Sequence, residues 1–475
     1  MTMQSINPAT EEVLATFEEF TLGQVDQALT QTRDAYRSWR ATSFAERAGL
    51  LRRAGTYLRE HKAELARLMT LEMGKPIAEA EAEAEKCAWN CDYYAEHAAR
   101  FLADEAAPSA ARESYIAFEP LGTIFAIMPW NFPFWQVIRF AAPTLMAGNT
   151  AILKHAANVP QCALAIERIF RESGFPEGVF RTVLIGGQAA EDLIADPRIA
   201  AVTLTGSAAA GSKVAAAAGR ALKKTVLELG GSDPFIVLED ADLDGAAQMA
   251  VRSRFQNTGQ SCIAAKRFIV VESVAAEFEG RFRDAAAALK VGDPLARETQ
   301  VGPLARGDLR DELDRQMRAT VAAGARVLLG GEPLAGRGYF YAPTILVDVP
   351  RDAAAFREET FGPLAAVVHV RDADEAVAVA NDSELGLGGN LWTRDIERGK
   401  RLARGIESGQ VFINGMTASD PRLPFGGVKQ SGYGRELAAF GIREFTNIQT
   451  IWIGPAQAAA GATAGAQSAA TPAAE

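Results

Sequence analysis

Between residues 122 and 231 the chain alternates short apolar segments with helix-like segments, and this alternation constrains the fold more than any other feature. The apolar segments have the length of single strands and read GTIFAIMP, NTAILKH, FRTVLIGG, AAVTLTG and KTVLELGG. Amphipathic stretches such as Val159 to Ser173 and Ala208 to Gly219 lie between them. Repeated strand–helix–strand units of this kind predict a parallel sheet covered by helices, with ligands at the carboxyl ends of the strands.

A second round of strand-like and helix-like segments extends from Pro234 to about Gly427. A chain of 475 residues is too long for one ordinary core, so two or three domains are expected. The sequence therefore predicts two α/β domains with a cleft between them. Before the first domain, about a hundred residues have mostly helical patterning, including one long run from Ser43 to Glu72 that ends at the breakers in MGKP.

The composition excludes several classes of function. A net charge of −10 argues against nucleic-acid binding as the main role, because nucleic-acid binders usually present a basic patch. No segment has the pattern of a signal peptide or the length of a membrane span, so we expect a cytoplasmic protein without a membrane partner. The four cysteines do not form a disulfide framework, and Cys87 and Cys91 share a helix-like stretch with too few ligands for a metal site. We predict that the low-complexity tail, residues 455–475, is disordered.

Cys262 lies in the polar, turn-like run FQNTGQSCIAAK, from Phe255 to Lys266. A thiol in a polar setting can ionise, and the thiolate is the reactive form. Taken alone, Cys262 is explained about as well as a small buried residue as it is as a catalytic thiol, because free cysteines are often buried.

Glu228 is the one carboxylate in the strand-like segment TVLEL, which breaks at Gly230 and Gly231. Apolar neighbours would raise its pKa towards the range of a general base. The alternative is an edge-strand glutamate that faces water.

Together, LELGGSDP and GQSC resemble the aldehyde dehydrogenase family, and the resemblance extends from about Asn7 to Ile453. It implies that Cys262 is the nucleophile and Glu228 the general base. It also implies that Asn131, in MPWNFP, forms an oxyanion hole with the backbone N–H of Cys262. The alternative for Asn131 is a turn or capping residue before Pro133.

The resemblance also implies the domain organisation. Residues 1–112 and 119–230 would form the dinucleotide-binding domain, and 231–430 the catalytic domain, each Rossmann-like with a parallel sheet. Residues 113–118 and 431–454 would form a small β bridging and oligomerisation domain, which implies a homodimer or homotetramer.

No GxGxxG follows any strand, and GSAAAGSK at Gly206 to Lys213 places the last two residues of a P-loop in the wrong order. An NTPase is therefore improbable. The aldehyde dehydrogenase family holds its dinucleotide without those motifs, and the resemblance implies cofactor contacts from eight positions: Trp130, Lys154, Ala157, Gly206, Ser207, Leu229, Glu359 and Phe361.

Ala157 bears on the choice of cofactor. Family members that prefer NAD commonly carry a glutamate there, which would repel a 2′-phosphate. Alanine removes that repulsion beside Lys154, so we expect NADP to be preferred and NAD to be accepted less well. No metal is expected.

The substrate expectation rests on Arg139 and Ser419, which match family members that oxidise succinate semialdehyde, where an arginine and a serine hold the distal carboxylate. Trp135 is expected at the same site. Gln256 stands where many of those enzymes have a second arginine, which implies looser recognition of the acid. The alternatives are another short, medium or aromatic aldehyde, or a catalytically silent binding protein on the same fold.

Overall fold

The computed structural model describes residues 2–454, so the predicted disordered tail lies outside the described residues. The chain begins with an antiparallel hairpin that the sequence did not predict, β1 (Thr2–Asn7) and β2 (Glu12–Glu18). Four helices follow: α1 (Leu22–Trp39), α2 (Phe44–Glu60), α3 (Lys62–Met73) and α4 (Ile77–Phe101). The single long helix expected from Ser43 to Glu72 is wrong, because His61 separates α2 from α3. Gly74 ends α3 in the left-handed conformation, at φ 79°.

A three-stranded antiparallel sheet has the strand order β20–β4–β3. Its strands are β3 (Glu105–Ala106), β4 (Glu113–Pro120) and β20 (Thr446–Ile453), and the register pairs Thr446 with Pro120. Strand β4 and strand β20 come from the two segments expected to form the bridging domain. The domain limits themselves stay a prediction.

The first α/β unit is a six-stranded sheet in the order β19–β9–β8–β5–β6–β7, parallel except for β19. Its five parallel strands are those read from the sequence: β5 (Thr123–Met128), β6 (Thr150–His155), β7 (Phe180–Thr182), β8 (Ile199–Thr205) and β9 (Lys224–Glu228). The helices are α5 (Trp135–Met146), α6 (Pro160–Glu172), α7 (Gly187–Ile194) and α8 (Ala208–Arg220). Strand β19 (Gly432–Tyr433) pairs antiparallel with β9, so this part of the expected bridging segment belongs to the six-stranded sheet.

The second α/β unit is a seven-stranded sheet in the order β12–β13–β14–β11–β10–β16–β17. The strands are β10 (Asp233–Val237), β11 (Ala265–Val271), β12 (Arg326–Leu329), β13 (Thr344–Val347), β14 (Leu364–Val370), β16 (Gly389–Trp392) and β17 (Val411–Ile413). Its helices are α9 (Leu243–Phe255), α10 (Glu272–Ala287), α11 (Gly307–Ala322), α12 (Ala354–Arg357), α13 (Ala373–Asn381) and α14 (Ile396–Ala403). A two-stranded pair, β15 (Leu385–Gly386) with β18 (Val428–Lys429), and helix α15 (Ala438–Glu444) complete the fold.

The two expected parallel-sheet units are therefore present. Strands of the apolar cores are buried on both faces, as in β10, where every residue is buried. The chain passes from strand β9 through Gly230 into β10, so a short connection joins a strand of the first sheet to a strand of the second. That junction brings the carboxyl end of β9 close to the loop before β11, where Cys262 lies.

Candidate active site

Cys262 lies in a turn between helix α9 and strand β11, and its side chain is partly buried. The segment that leads to it, Gln256–Gly259, is a single tight turn. Within that turn Asn257 and Thr258 have φ of 54° and 56°, a conformation that is costly for residues with a side chain. The hydrogen bonds of Asn257 hold the turn, because its Nδ2 donates to the carbonyls of Asn131 and Gln260 at 2.8 and 3.0 Å. The polar run therefore forms a fixed loop.

Lys266 stabilises this loop from the interior of the protein. Its side chain is fully buried, and Nζ donates to the carbonyl oxygens of Ser261 and Cys262, each at 2.9 Å. Gly231 approaches from the other side, so closely that a Cβ there would overlap the carbonyl oxygen of Cys262. The glycine pair after β9 is thus explained by contact with the cysteine loop. The sequence did not single out Lys266 for any role.

The thiol of Cys262 is less readily ionised than the polar sequence around it suggested. Burial raises its pKa to about 12, against the opposing effects of Lys266 and Arg139. The polar residues around Cys262 therefore do not lower the pKa of its thiol, because the polar side chains of the loop turn into the protein. Gln260, for example, is fully buried and accepts at Oε1 from the backbone N–H of Ala305.

The thiol lines a cavity of about 800 Å³. The four residues expected to bind the substrate line the same cavity: Trp135, Arg139, Gln256 and Ser419. Lys86 and Phe425 line it as well. The structure thus brings together side chains from α4, from α5 and from the loops around Cys262 and Ser419.

Asn131 is buried beside the cysteine loop. Its Nδ2 donates to the carbonyl of Gln260 at 3.1 Å, and its Oδ1 accepts from Gln136 at 3.1 Å. These contacts fix the orientation of the amide and leave one of its two N–H hydrogens for a further acceptor. Asn131 is therefore more than a turn residue, since its side chain connects α5 to the loop that carries Cys262.

Glu228 is buried at the end of β9, which lies between β8 and β19 and is not an edge strand. Neither of its carboxylate oxygens has a hydrogen-bond partner among residues 2–454. Burial and the neighbouring carboxylate of Glu436 raise the pKa of Glu228 well above its usual value, although Arg139 and Arg435 oppose the shift. The alternative of a solvated glutamate is thus wrong, and the structure gives Glu228 the raised pKa that a general base needs.

Arg139 is not free, contrary to what its proposed role in binding a carboxylate would suggest. It forms a buried ion pair with Glu436 and packs on the ring of Phe425 at 4.5 Å. Its Nη2 also donates a long hydrogen bond of 3.4 Å to Thr205. Glu436 is 297 positions away in the sequence, which is why this pairing could not be read from the motif around Arg139.

The cavity is also lined by a second cation, which the sequence did not predict. Lys86, on α4, donates to Ser419 Oγ at 2.7 Å, and its ammonium lies 4.3 Å from the centre of the Trp135 ring. The Nε1 of Trp135 also donates to Ser419 Oγ, at 3.0 Å. Burial and the nearby Arg139 lower the pKa of Lys86 to about 8, while Glu83 and Asp420 raise it. No carboxylate of the described residues lies within ion-pair distance of Lys86.

On the other side of the cysteine loop, the end of β8 leads through Gly206 into helix α8. Ser207 caps this helix by accepting from the N–H of Ala210 at 3.3 Å. The first turn of the helix offers backbone N–H groups of the kind that bind phosphates. Lys154, at the end of β6, is partly buried without an ion-pair partner in the described part of the chain, and burial lowers its pKa. Ala157, three residues on, is exposed. A helix N-terminus and an ammonium group have the chemistry that the phosphates of a dinucleotide require.

The remaining expected cofactor residues are Glu359, Phe361, Trp130 and Leu229. The Glu359 carboxylate accepts from the N–H of Gly231 at 3.0 Å and lies 3.6 Å from Lys266 Nζ. The rings of Phe361 and Trp130 meet edge to face at 5.7 Å. Leu229 packs on α8, where a Cβ at Gly211 would lie 2.6 Å from it. The cofactor role of the eight residues stays a prediction.

Two further observations concern metals and membranes. Residues 2–454 contain no group of three or more histidine, cysteine, aspartate or glutamate side chains placed to hold a metal ion. None of the helices in that range is long and apolar enough to cross a membrane. Cys87 and Cys91 are free and buried on α4.

Two parallel-sheet units, a cysteine loop at their junction, a buried glutamate at the end of β9 and a helix terminus of the kind that binds phosphates are the features of a dinucleotide-dependent oxidoreductase. The model of the aldehyde dehydrogenase family matches residues 1–451. This chain belongs to the aldehyde dehydrogenase family.

Relatives within the family are similar over nearly the whole chain. A probable succinate-semialdehyde dehydrogenase [NADP(+)] from Synechocystis sp. is 55% identical, covering 95% of this chain and all of the relative. Succinate-semialdehyde dehydrogenase [NADP(+)] 1 from Mycobacterium tuberculosis is 52% identical over 95% of this chain and all of that protein. Among solved structures, succinic semialdehyde dehydrogenase from Streptococcus pyogenes in complex with NADP+ is 37% identical, with a TM-score of 0.93 over 95% of this chain and all of that chain.

Proposed function

We propose that this protein oxidises succinate semialdehyde to succinate, with NADP as the preferred electron acceptor. The observation that carries the proposal is the cavity in which the thiol of Cys262 shares the wall with Ser419 and basic side chains. A substrate with an aldehyde at one end and a carboxylate at the other could react with the thiol and bind to Ser419 and the basic side chains. The names of the similar Synechocystis and Mycobacterium proteins support the same substrate and cofactor.

In the proposed reaction Cys262 is the nucleophile. The thiol releases its proton to solvent, its sulfur adds to the aldehyde carbon, and the electron pair of the C=O bond moves to the carbonyl oxygen, which becomes an oxyanion. The free N–H of Asn131 and the backbone N–H of Cys262 are the proposed donors to that oxyanion. The fixed amide of Asn131 suits this role, because donors that are already oriented need no reorganisation when charge develops.

A bound nicotinamide dinucleotide supplies the acceptor for the hydride that leaves the same carbon, which converts the adduct to a thioester. Water then attacks the thioester, the carbon–sulfur bond breaks, and the acid leaves. Glu228 is the proposed base that takes the proton of the attacking water. Its raised pKa makes the carboxylate a stronger base, and its neighbours provide no hydrogen bond that would weaken it.

The proposed preference for NADP rests on Lys154 and Ala157. The ammonium of Lys154 has no ion-pair partner in the described residues, so it is available to a 2′-phosphate. A carboxylate at position 157 would repel that phosphate, and alanine carries none.

We also propose that the protein assembles as a homodimer or homotetramer. Among residues 2–454, strand β20 is the outer strand of its sheet and exposes Ile448, Trp452 and Ile453, with 64%, 56% and 38% of their surfaces accessible. An unpaired strand edge with apolar side chains is well suited to contact another copy.

The function is tested by specificity constants for a set of aldehydes with and without a distal carboxylate, each measured with NADP and with NAD. Succinate semialdehyde with NADP should give the largest value. Equal values for succinate semialdehyde and butanal would contradict the proposed substrate and leave an aldehyde dehydrogenase of another specificity.

A further inference from the structure

We propose that Lys86, rather than Arg139, is the principal cation that selects the distal carboxylate of the substrate. The inference rests on the proposed function, which it makes more specific. It assigns a substrate-binding role to a residue on helix α4 that no motif in the sequence marks.

The charge on Arg139 is already balanced within the protein. A cation recognises a carboxylate strongly when its charge is not already balanced. Arg139 is buried against Glu436 in an ion pair, and its guanidinium also packs on the ring of Phe425. A substrate carboxylate at Arg139 would have to compete with the carboxylate of Glu436. The charge of Arg139 is therefore largely committed within the protein.

Lys86 has no such partner in the part of the chain that the structure describes. Among residues 2–454 its ammonium has no carboxylate within 4 Å, although the side chain is only partly exposed and faces the cavity. The one hydrogen bond that it donates goes to the hydroxyl of Ser419. Two of its three N–H hydrogens therefore lack a protein acceptor. A partly buried ammonium without a counter-ion is stabilised by an anionic ligand.

The hydroxyl of Ser419 lies beside the ammonium of Lys86 and acts with it. A serine oxygen has two lone pairs and one hydrogen. Lys86 Nζ and Trp135 Nε1 both donate to this oxygen, at 2.7 and 3.0 Å, so its two lone pairs are occupied. What remains is the hydrogen of the hydroxyl group, for which residues 2–454 provide no acceptor. Lys86 and Ser419 together thus present only donors to the cavity.

A group that offers only donors selects an acceptor. A carboxylate has two oxygens that accept and none that donate, so it satisfies both the ammonium and the hydroxyl. The methyl end of an uncharged aldehyde satisfies neither. The remaining cations of the cavity do not offer the same arrangement, because Arg297 is bound by Glu81 through two hydrogen bonds and Arg252 is exposed to solvent at the rim.

The test compares succinate semialdehyde with butanal, an uncharged aldehyde of the same chain length, on Lys86→Met, Lys86→Arg and Arg139→Met. Lys86→Met keeps the length of the side chain and removes its charge. We expect its kcat/KM for succinate semialdehyde to fall by about ten- to a hundredfold, mainly through KM, since one hydrogen bond to a charged group is lost. The value for butanal should change by less than about twofold. Lys86→Arg should recover part of the loss, and Arg139→Met should impair the two aldehydes to a similar degree.

Arg252→Met is the matched control, because it removes a positive charge from the exposed rim of the same cavity. It should leave the ratio of the two specificity constants within about twofold of wild type. Melting curves of each variant show whether the fold is intact. If wild type does not prefer succinate semialdehyde to butanal, the proposed function fails. If wild type has that preference and Lys86→Met retains it, or if Arg139→Met alone abolishes it, the role assigned to Lys86 is wrong and the proposed function stands.

Discussion

The ammonium group of Lys266 donates a hydrogen bond of 2.9 Å to the carbonyl oxygen of Cys262. It donates a second one of equal length to Ser261, so one buried cation holds both residues of the loop that presents the thiol. The nearest carboxylate is that of Glu359, at 3.6 Å. The position of the proposed nucleophile thus depends on a charge that is fully buried beneath it.

Replacing Lys266 with Met should therefore impair both the loop and the thiol. Two carbonyls would lose their donor, and the positive charge that opposes the raised pKa of Cys262 would disappear. We expect the free energy of unfolding to fall by roughly 1.5–3 kcal/mol, the usual contribution of a hydrogen bond to a charged group. Alkylation of Cys262 by iodoacetamide at fixed pH should be slower. A variant with wild-type stability and wild-type alkylation rate would contradict this account.

The pH dependence of alkylation tests the environment of Cys262 directly. Burial raises the pKa of the thiol to about 12 in the protein without cofactor or substrate. Below that pH the thiolate fraction grows about tenfold for each pH unit, so the alkylation rate should rise about a hundredfold between pH 7 and pH 9. Cys262→Ala supplies the background from the other three cysteines, and it should also abolish aldehyde oxidation. A rate that reaches a plateau near pH 8 would show that the thiol ionises readily.

Glu228→Gln should slow the hydrolysis of the thioester more than its formation. The first turnover would give a burst of reduced cofactor, followed by a slow steady state, because glutamine cannot accept the proton of water. A loss of the burst together with the steady state would place Glu228 in an earlier step. Stopped-flow measurement at the absorbance of the reduced dinucleotide distinguishes the two outcomes.

The raised pKa of Glu228 also predicts the pH dependence of the steady state. Only the deprotonated carboxylate can act as base, so turnover limited by hydrolysis should increase as the pH rises through this pKa. Glu436→Gln removes the like charge that helps to raise it, and Arg139 and Arg435 would then lower it further. The acid limb of the profile should move to lower pH. An unchanged limb would show that another group controls it.

The sequence predicted the parts of the fold that rest on local patterning. The five strands from Thr123 to Glu228 are confirmed because each is a short apolar run bounded by turn residues. The hairpin that begins at Thr2 was missed, since its two strands are short, mix polar with apolar residues and expose much of their surface.

Contacts between distant parts of the chain could not be predicted in the same way. Lys86 and Ser419 are 333 residues apart, and neither lies in a motif that points to the other. The same holds for Arg139 and Glu436, whose pairing changes the charge available to a substrate. Such pairs are fixed by tertiary packing. The sequence could therefore place individual side chains near the site. Their ion-pair and hydrogen-bond partners, and hence the charge that is available to a substrate, could be found only from the structure.

The preference for NADP gives the last test, and Ala157→Glu is the change that addresses it. Position 157 is exposed beside Lys154, so a glutamate fits there without disturbing the core. Its carboxylate would repel a 2′-phosphate and pair with the ammonium that we propose binds this phosphate. It would also accept a hydrogen bond from a ribose 2′-hydroxyl, which NAD has and NADP lacks. The ratio of kcat/KM with NADP to kcat/KM with NAD should therefore fall by about tenfold or more, a change of about 1.4 kcal/mol in relative binding. Ala157→Gln is the matched control, because it has nearly the same shape without the charge and should move the ratio less. Dissociation constants from fluorescence titration, measured without aldehyde, separate an effect on binding from an effect on turnover. A wild type that prefers NAD, or a ratio that Ala157→Glu leaves unchanged, would show that the adenosine ribose lies elsewhere.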